Sequence, residues 1–122
     1  MSRRARVVTR RILLVEDHRE TAIVLSKILE GMGHEVRISG TLAGAIRACR
    51  EGGIDVVFCD IGLPDGSGLD LPRAVKEACP GTTLIAITAQ GYSNDAPEIR
   101  AAGFDALLPK PMTIDQMQRY LR

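Results

Sequence analysis

The chain has 122 residues, 45% hydrophobic and 25% charged, with a formal net charge of +1. That length supports one domain with a proper core, the composition is that of an ordinary soluble globule, and no apolar run is long enough to span a bilayer. The near-neutral total hides an asymmetry. Five of the 16 basic residues (Arg3, Arg4, Arg6, Arg10 and Arg11) lie in the first eleven positions without an acid, leaving 11 against all 15 acidic residues in the rest. The body is therefore mildly acidic, which speaks against a nucleic-acid surface, and residues 1–10 read as a flexible basic arm. That arm lacks the apolar stretch of a secretory signal. Cys49, Cys59 and Cys79 form an odd set without metal-ligand spacing, as expected of reduced, buried thiols in a cytoplasmic protein.

Ile12-Leu13-Leu14-Val15 is a continuous apolar run, the pattern of a strand buried on both faces. Asp17 or His18 then starts a helix whose Ala22, Leu25, Leu29 and Met32 recur at helical spacing until Gly31 and Gly33 stop it. Val36 to Ile38 is a second strand. Leu42, Ala45, Ile46 and Cys49 mark a second helix closed by Gly52-Gly53, and Ile54 to Cys59 is the third strand. A loop with Pro64, Gly66 and Gly68 leads to a helix over Leu69–Ala78, where Pro72 is tolerable only near the first turn. Leu84–Ile87 and Phe104–Leu108 are the last strands, and Thr113 with Gln116 fits a capping box opening the final helix.

Strand and helix thus alternate five times, which calls for an α/β fold with a parallel sheet covered on both faces. Right-handed crossovers leave few arrangements. The doubly wound order 2-1-3-4-5 is the natural one, with a site outside the carboxyl ends of strands one and three.

Glu16-Asp17 end the first strand, Asp60 the third and Thr88 the fourth, while Lys110 follows the fifth. Singly, each has a commoner explanation: helix-capping acids, a loop cap, a structural threonine, a solvated lysine. In the proposed order they converge. Three adjacent carboxylates repel one another and raise their pKa values. A hard divalent cation such as Mg²⁺ removes that repulsion and commonly bridges to phosphate. With a lysine and a hydroxyl donor added, the set suits a phosphoryl group on a carboxylate nucleophile, Asp60. Cys59 reads as a core thiol, and His18 and His34 as surface residues without zinc-site neighbours.

Val15-Glu16-Asp17, Cys59-Asp60-Ile61-Gly62-Leu63-Pro64-Asp65-Gly66, Thr88-Ala89 and Lys110-Pro111, in that order and spacing, resemble the receiver domain of bacterial two-component response regulators over residues 11–122. The resemblance implies a flavodoxin-like fold and a cytoplasmic signalling module that is not an enzyme in the ordinary sense. It implies phosphorylation of Asp60 from the phosphohistidine of a sensor histidine kinase or a histidine phosphotransfer protein, with Mg²⁺ required. Asp17 and Asp60 would ligate the metal directly, Glu16 mostly through water, and Gly62 through its carbonyl. Thr88 and Lys110 would bind phosphoryl oxygens, and the Lys110–Pro111 bond would be cis.

Two departures stand out. Leu107 occupies the position where the family often has an aromatic switch residue. Pro97 falls within the fourth-helix segment Tyr92–Ala102, so that helix is expected to start late, near Asp95, and to be short. Because the chain stops in the last helix region, the expectation is a receiver without an output domain, either stand-alone or part of a hybrid histidine kinase. Asp60-Ile61-Gly62-Leu63-Pro64 looks more like the hybrid group, and Met1 with the arginine arm more like a natural start. The oligomeric state, a dimer included, is left open. Rival readings are a metal-dependent aspartyl phosphohydrolase, disfavoured by the lack of a D-x-D nucleophile motif on the first strand, and a receiver-like scaffold that is never phosphorylated. A flavodoxin-like cofactor binder would need a glycine-rich phosphate loop after the first strand, where Val15-Glu16-Asp17-His18-Arg19 stands instead.

Overall fold

The structure, a computed structural model, describes residues 8–89 and 96–122. Strands β1 (Arg11–Val15), β2 (Glu35–Ser39), β3 (Val56–Asp60), β6 (Thr83–Thr88) and β7 (Ala106–Pro109) form one parallel sheet in the order β2-β1-β3-β6-β7. That is the order expected from the alternation of strand and helix. β4 (Gly62–Leu63) and β5 (Gly66–Ser67) form a separate two-stranded antiparallel pair inside the segment read as a loop.

The helices are α1 (Arg19–Gly31), α2 (Leu42–Glu51), α3 (Leu71–Ala78), α4 (Ala96–Ala102) and α5 (Ile114–Gln118). Period-2 alternation along β1 splits the core into two layers. Leu13 and Val15 join Ala45, Ala48 and Cys49 of α2, Leu71 and Val75 of α3 and Ile99 of α4. Ile12 and Leu14 join Ala22 and Leu29 of α1 and Met117 of α5. All five residues of β3 are buried, as expected of a central parallel strand, so whatever ends that strand starts from a dry interior.

Local chemistry accounts for most boundaries. His18 caps α1, its Nδ1 accepting the Thr21 N–H at 3.3 Å. Thr113 and Gln116 form the capping box expected for α5, with bonds of 2.8 and 3.2 Å. The helix expected from Leu69 is instead a 3₁₀ turn, Gly68–Asp70, followed by α3. Pro72 sits in the first turn of α3, where it removes no intrahelical bond. The described part of the fourth helix is seven residues long and includes Pro97; its expected start near Asp95 lies outside the described residues, as do Arg3, Arg4 and Arg6.

His34 is not a surface residue. It is buried, and its Nδ1 accepts the Arg10 N–H at 3.0 Å. Glu35 N–H returns to the Arg10 carbonyl at 3.0 Å, and the Arg10 guanidinium donates to the carbonyls of Leu121 and Arg122 at 3.1 and 2.8 Å. Arg10 thereby links the start of β1, the α1–β2 turn and the residues that follow α5. Cys49 and Cys59 are buried as expected, whereas Cys79 is half-buried; all three are free thiols.

Candidate functional site

The parallel register sets up the site. Val15 lies opposite Cys59, and Asp60 opposite Ile87. Glu16, one step past Val15, extends the ladder by donating its N–H to Ser39 O at 2.9 Å. This brings Glu16 beside Asp60 at the carboxyl edge, in the crevice where the strand order reverses.

One carboxylate oxygen each from Glu16, Asp17 and Asp60 lies within 4.8 Å of the others. Glu16 and Asp60 are buried, at 3% and 7% exposure, and Asp17 is exposed. Lys110 Nζ lies 2.5 Å from Asp60 Oδ2 and 3.5 Å from Glu16 Oε2. Its backbone is fixed by donation of the Lys110 N–H to Thr88 O at 2.7 Å. The Lys110–Pro111 bond is cis, as the family pattern implied. Thr88 is buried at the end of β6, one residue beyond the register partner of Asp60.

Backbone donors hold the acids in place. Gly62 N–H donates to Asp60 Oδ1 at 3.1 Å and His18 N–H to Glu16 Oε1 at 3.1 Å. Gly68 closes the turn behind Asp60, giving its N–H to Ile61 O at 2.8 Å. A Cβ there would stand 2.6 Å from Asp60 O and 2.9 Å from the Ile61 Cα, so only glycine lets the chain return so closely under the carboxylate.

The charges at this edge are out of balance. Burial, and then the charge of Asp60, push the Glu16 carboxyl above the ordinary carboxylate value, against the pull of the His18 N–H and Lys110. For Lys110, burial works downward. The hydrogen bond to Asp60 and the charges of Asp60 and Glu16 outweigh it, so the ammonium titrates above its usual value. Burial raises the Cys59 thiol steeply, with the Asp60 charge adding to it. With its S–H on Asp60 O at 3.2 Å, Cys59 is a core thiol with little thiolate character.

One ammonium facing three carboxylates leaves an excess of negative charge in an all-oxygen donor set, which suits a hard, oxygen-seeking cation such as Mg²⁺. Beside it opens a groove of about 430 Å³ lined by Glu16, Thr21, Leu25, Ala89, Lys110, Pro111 and Met112. The sequence-predicted residues Glu16, Asp17, Asp60, Gly62 and Lys110 therefore meet, and Thr88 stands at the same sheet edge.

One residue was not singled out from the sequence. Asp65, at the tip between β4 and β5, accepts the Leu42 N–H at 2.7 Å and the Ala43 N–H at 3.1 Å, at the start of α2. The Pro64-Asp65-Gly66 turn chemistry was a visible signal, but nothing local pointed to α2 as its partner.

Fold and site together define a two-component signalling module. The chain belongs to the response regulator receiver domain family, whose model matches residues 12–122. It is 33% identical over 121 residues to the virulence sensor protein BvgS of Bordetella pertussis, covering 93% of this chain but only 10% of that protein. The chain thus spans about a tenth of that relative. A response regulator receiver domain structure from Clostridium thermocellum superposes with a TM-score of 0.84 at 27% identity, covering 92% of this chain and 90% of that one. The receiver domain of sensor histidine kinase PA1611 from Pseudomonas aeruginosa PAO1, with a magnesium ion coordinated in its active site cleft, gives 0.81 at 28% identity, covering 93% and 94%. No described helix is long and apolar enough to cross a membrane.

Proposed function

We propose that this receiver accepts a phosphoryl group on Asp60 from the phosphohistidine of a sensor histidine kinase or histidine phosphotransfer protein, and signals by the conformational change that follows. The observation that carries the reading is the convergence on Asp60: Lys110 Nζ at 2.5 Å, and carboxylate oxygens of Glu16 and Asp17 within 4.8 Å. An Asp60 carboxylate oxygen forms the new P–O bond as the P–N bond to the donor imidazole breaks, and the imidazole nitrogen keeps the electron pair. Lys110 stands ready to neutralise charge on the phosphoryl oxygens, and Thr88 offers them a hydroxyl. Asp17, Asp60 and the Gly62 carbonyl would hold Mg²⁺ directly, with Glu16 acting through water. The cation supplies charge neutralisation at the transferring phosphoryl group.

The groove beside Lys110 supports access for a partner's histidine, since its lining of Leu25, Ala89, Pro111 and Met112 borders the reacting edge. Val24 and Ile28 on α1 are exposed apolar residues of the kind a docking partner covers. On this reading residues 11–122 form the receiver, residues 1–10 form a basic arm whose last residue, Arg10, is bonded to the receiver, and the chain works in the cytoplasm as a signalling module.

The test is incubation with acetyl phosphate and Mg²⁺, read by intact mass. The expected result is the gain of one phosphoryl group, absent without Mg²⁺ and absent in Asp60→Asn. A gain that persists in Asp60→Asn overturns the assignment.

A further inference from the structure

We infer that Asp65 is a positioning residue: its carboxylate clamps the β4–β5 turn onto the N-terminus of α2 and so holds Gly62 where its carbonyl can serve the metal. The inference deepens the reading of the site given above and rests on it for the role of Gly62.

The clamp is built from complementary chemistry. The first backbone N–H groups of a helix have no intrahelical acceptor. In α2 three of them are satisfied by side chains. Thr41, the local cap, takes the Gly44 N–H at 3.0 Å. Asp65, twenty-three residues away along the chain, takes Leu42 N–H at 2.7 Å on Oδ1 and Ala43 N–H at 3.1 Å on Oδ2. Both oxygens are engaged, and a carboxylate at a helix N-terminus also gains from the helix dipole. These two bonds hold the Asp65 carboxyl below the ordinary carboxylate value.

The clamp reaches the site through a short rigid path. Asp65 lies in the turn between Leu63 and Gly66, which pair, as do Gly62 and Ser67. Gly62 in turn donates to Asp60 Oδ1. Beneath the turn, the space a Gly66 Cβ would need is taken by Leu42 Cδ2 at 3.0 Å, so the hairpin rests on the same residue whose amide it binds. Just before α2, a Gly40 Cβ would stand 3.8 Å from Glu16 O. The loops after β1, β2 and β3 are therefore packed together, and Asp65 is the side chain that bonds the third loop to the second.

The test compares Asp65→Ala with Thr41→Ala. Each removes capping of α2, but only the first releases the hairpin. Mg²⁺ affinity is read by calorimetry and amide exchange of residues 62–67 by mass spectrometry, both on the unphosphorylated chain. Loss of a residue that orients a ligand weakens metal binding by roughly tenfold or more. The expected result is such a loss in Asp65→Ala with faster exchange at 62–67, and neither change in Thr41→Ala. Asp65→Asn, which keeps one acceptor oxygen, should fall between and guards against a fold too damaged to measure. Equal effects in Asp65→Ala and Thr41→Ala, or unchanged affinity and exchange in Asp65→Ala, overturn the clamp. If the unmodified chain binds no Mg²⁺, the metal reading fails, and so does the metal role of Asp65. The exchange data then still decide whether Asp65 holds the hairpin.

Discussion

The two ends of the central sheet handle charge in opposite ways. At the amino ends of the strands, opposite charges meet in the open. Arg11 Nε lies 3.0 Å from Glu35 Oε2 with both side chains more than 60% exposed, and Arg37 pairs with Glu51. Aspartates there serve the backbone: Asp55 Oδ2 accepts Arg11 N–H and Asp105 Oδ2 accepts Leu84 N–H, each at 2.8 Å. At the carboxyl ends, among the described residues, two buried acids and an exposed one crowd together with a single half-buried lysine. One end is satisfied as it stands. The other is stable only because the rest of the fold holds like charges together, and that excess of negative charge suits a hard cation.

If this contrast is right, removing Lys110, the one cation at the crowded end among the described residues, should have the largest effect. Lys110→Gln leaves Glu16 and Asp60 facing each other uncompensated. Breaking a fully buried ion pair costs roughly 3–5 kcal/mol; because the Lys110 side chain is 38% exposed, the expected loss is only about 1–2 kcal/mol by that rule discounted for solvent. Denaturant unfolding without Mg²⁺ measures it, and Mg²⁺ should restore part of the loss. Unchanged stability in the metal-free protein would mean that the carboxyl edge carries no excess repulsion.

The pH dependence sharpens the comparison, because the two ends respond with opposite signs. Glu16 is raised in the folded state by burial and the Asp60 charge, so folding favours its protonated form. Its contribution is fully present below the unfolded carboxyl value of about 4.5 and is lost as pH rises through the folded value. His34, at the other end, is lowered by burial and then by the Arg10 charge, so folding favours the neutral ring that accepts the Arg10 N–H. Its contribution is fully present above about 6.5 and is lost as pH falls through the folded value. In thermal melts of the metal-free protein, Glu16→Gln minus unmodified stability should grow as pH rises from 4.5. The same difference for His34→Gln, whose amide oxygen can still accept Arg10 N–H, should grow as pH falls below 6.5. Difference curves of the same sign of slope would dissolve the contrast.

The smallest effect is expected where charges are paired in the open. Arg37→Ala should change stability by less than about 1 kcal/mol, and less still in high salt. A larger loss would show that the amino edge, too, depends on its ion pairs.

Much of this was legible in the residues. Ile12–Val15 and Leu84–Ile87 are apolar without alternation because both faces of a parallel strand are covered, so their run length alone identified them. Handedness left few strand orders, and the natural one among them brought Glu16, Asp17 and Asp60 together. Less legible were features whose partners lie far off in the chain. Leu69 looked helical by composition, yet the tight return at Gly68 under Asp60 forces a 3₁₀ turn before α3 begins. His34 follows a glycine and precedes a charged strand, a surface context by local pattern, but Arg10 and the α1–β2 turn bury it.

The sequence by itself determined the layering and the identity of the residues that end the strands, because these depend on hydrophobic period, which is local, and it narrowed the strand order to a few arrangements through chain handedness. Only the tertiary structure decided that Glu16 is buried while its neighbour Asp17 is exposed, that Lys110 bonds Asp60 at 2.5 Å, and that Asp65 belongs to α2. Periodicity tells which face a residue takes on its own element. It carries no information about which donor, twenty or fifty residues away, will be brought within hydrogen-bonding distance once the elements pack.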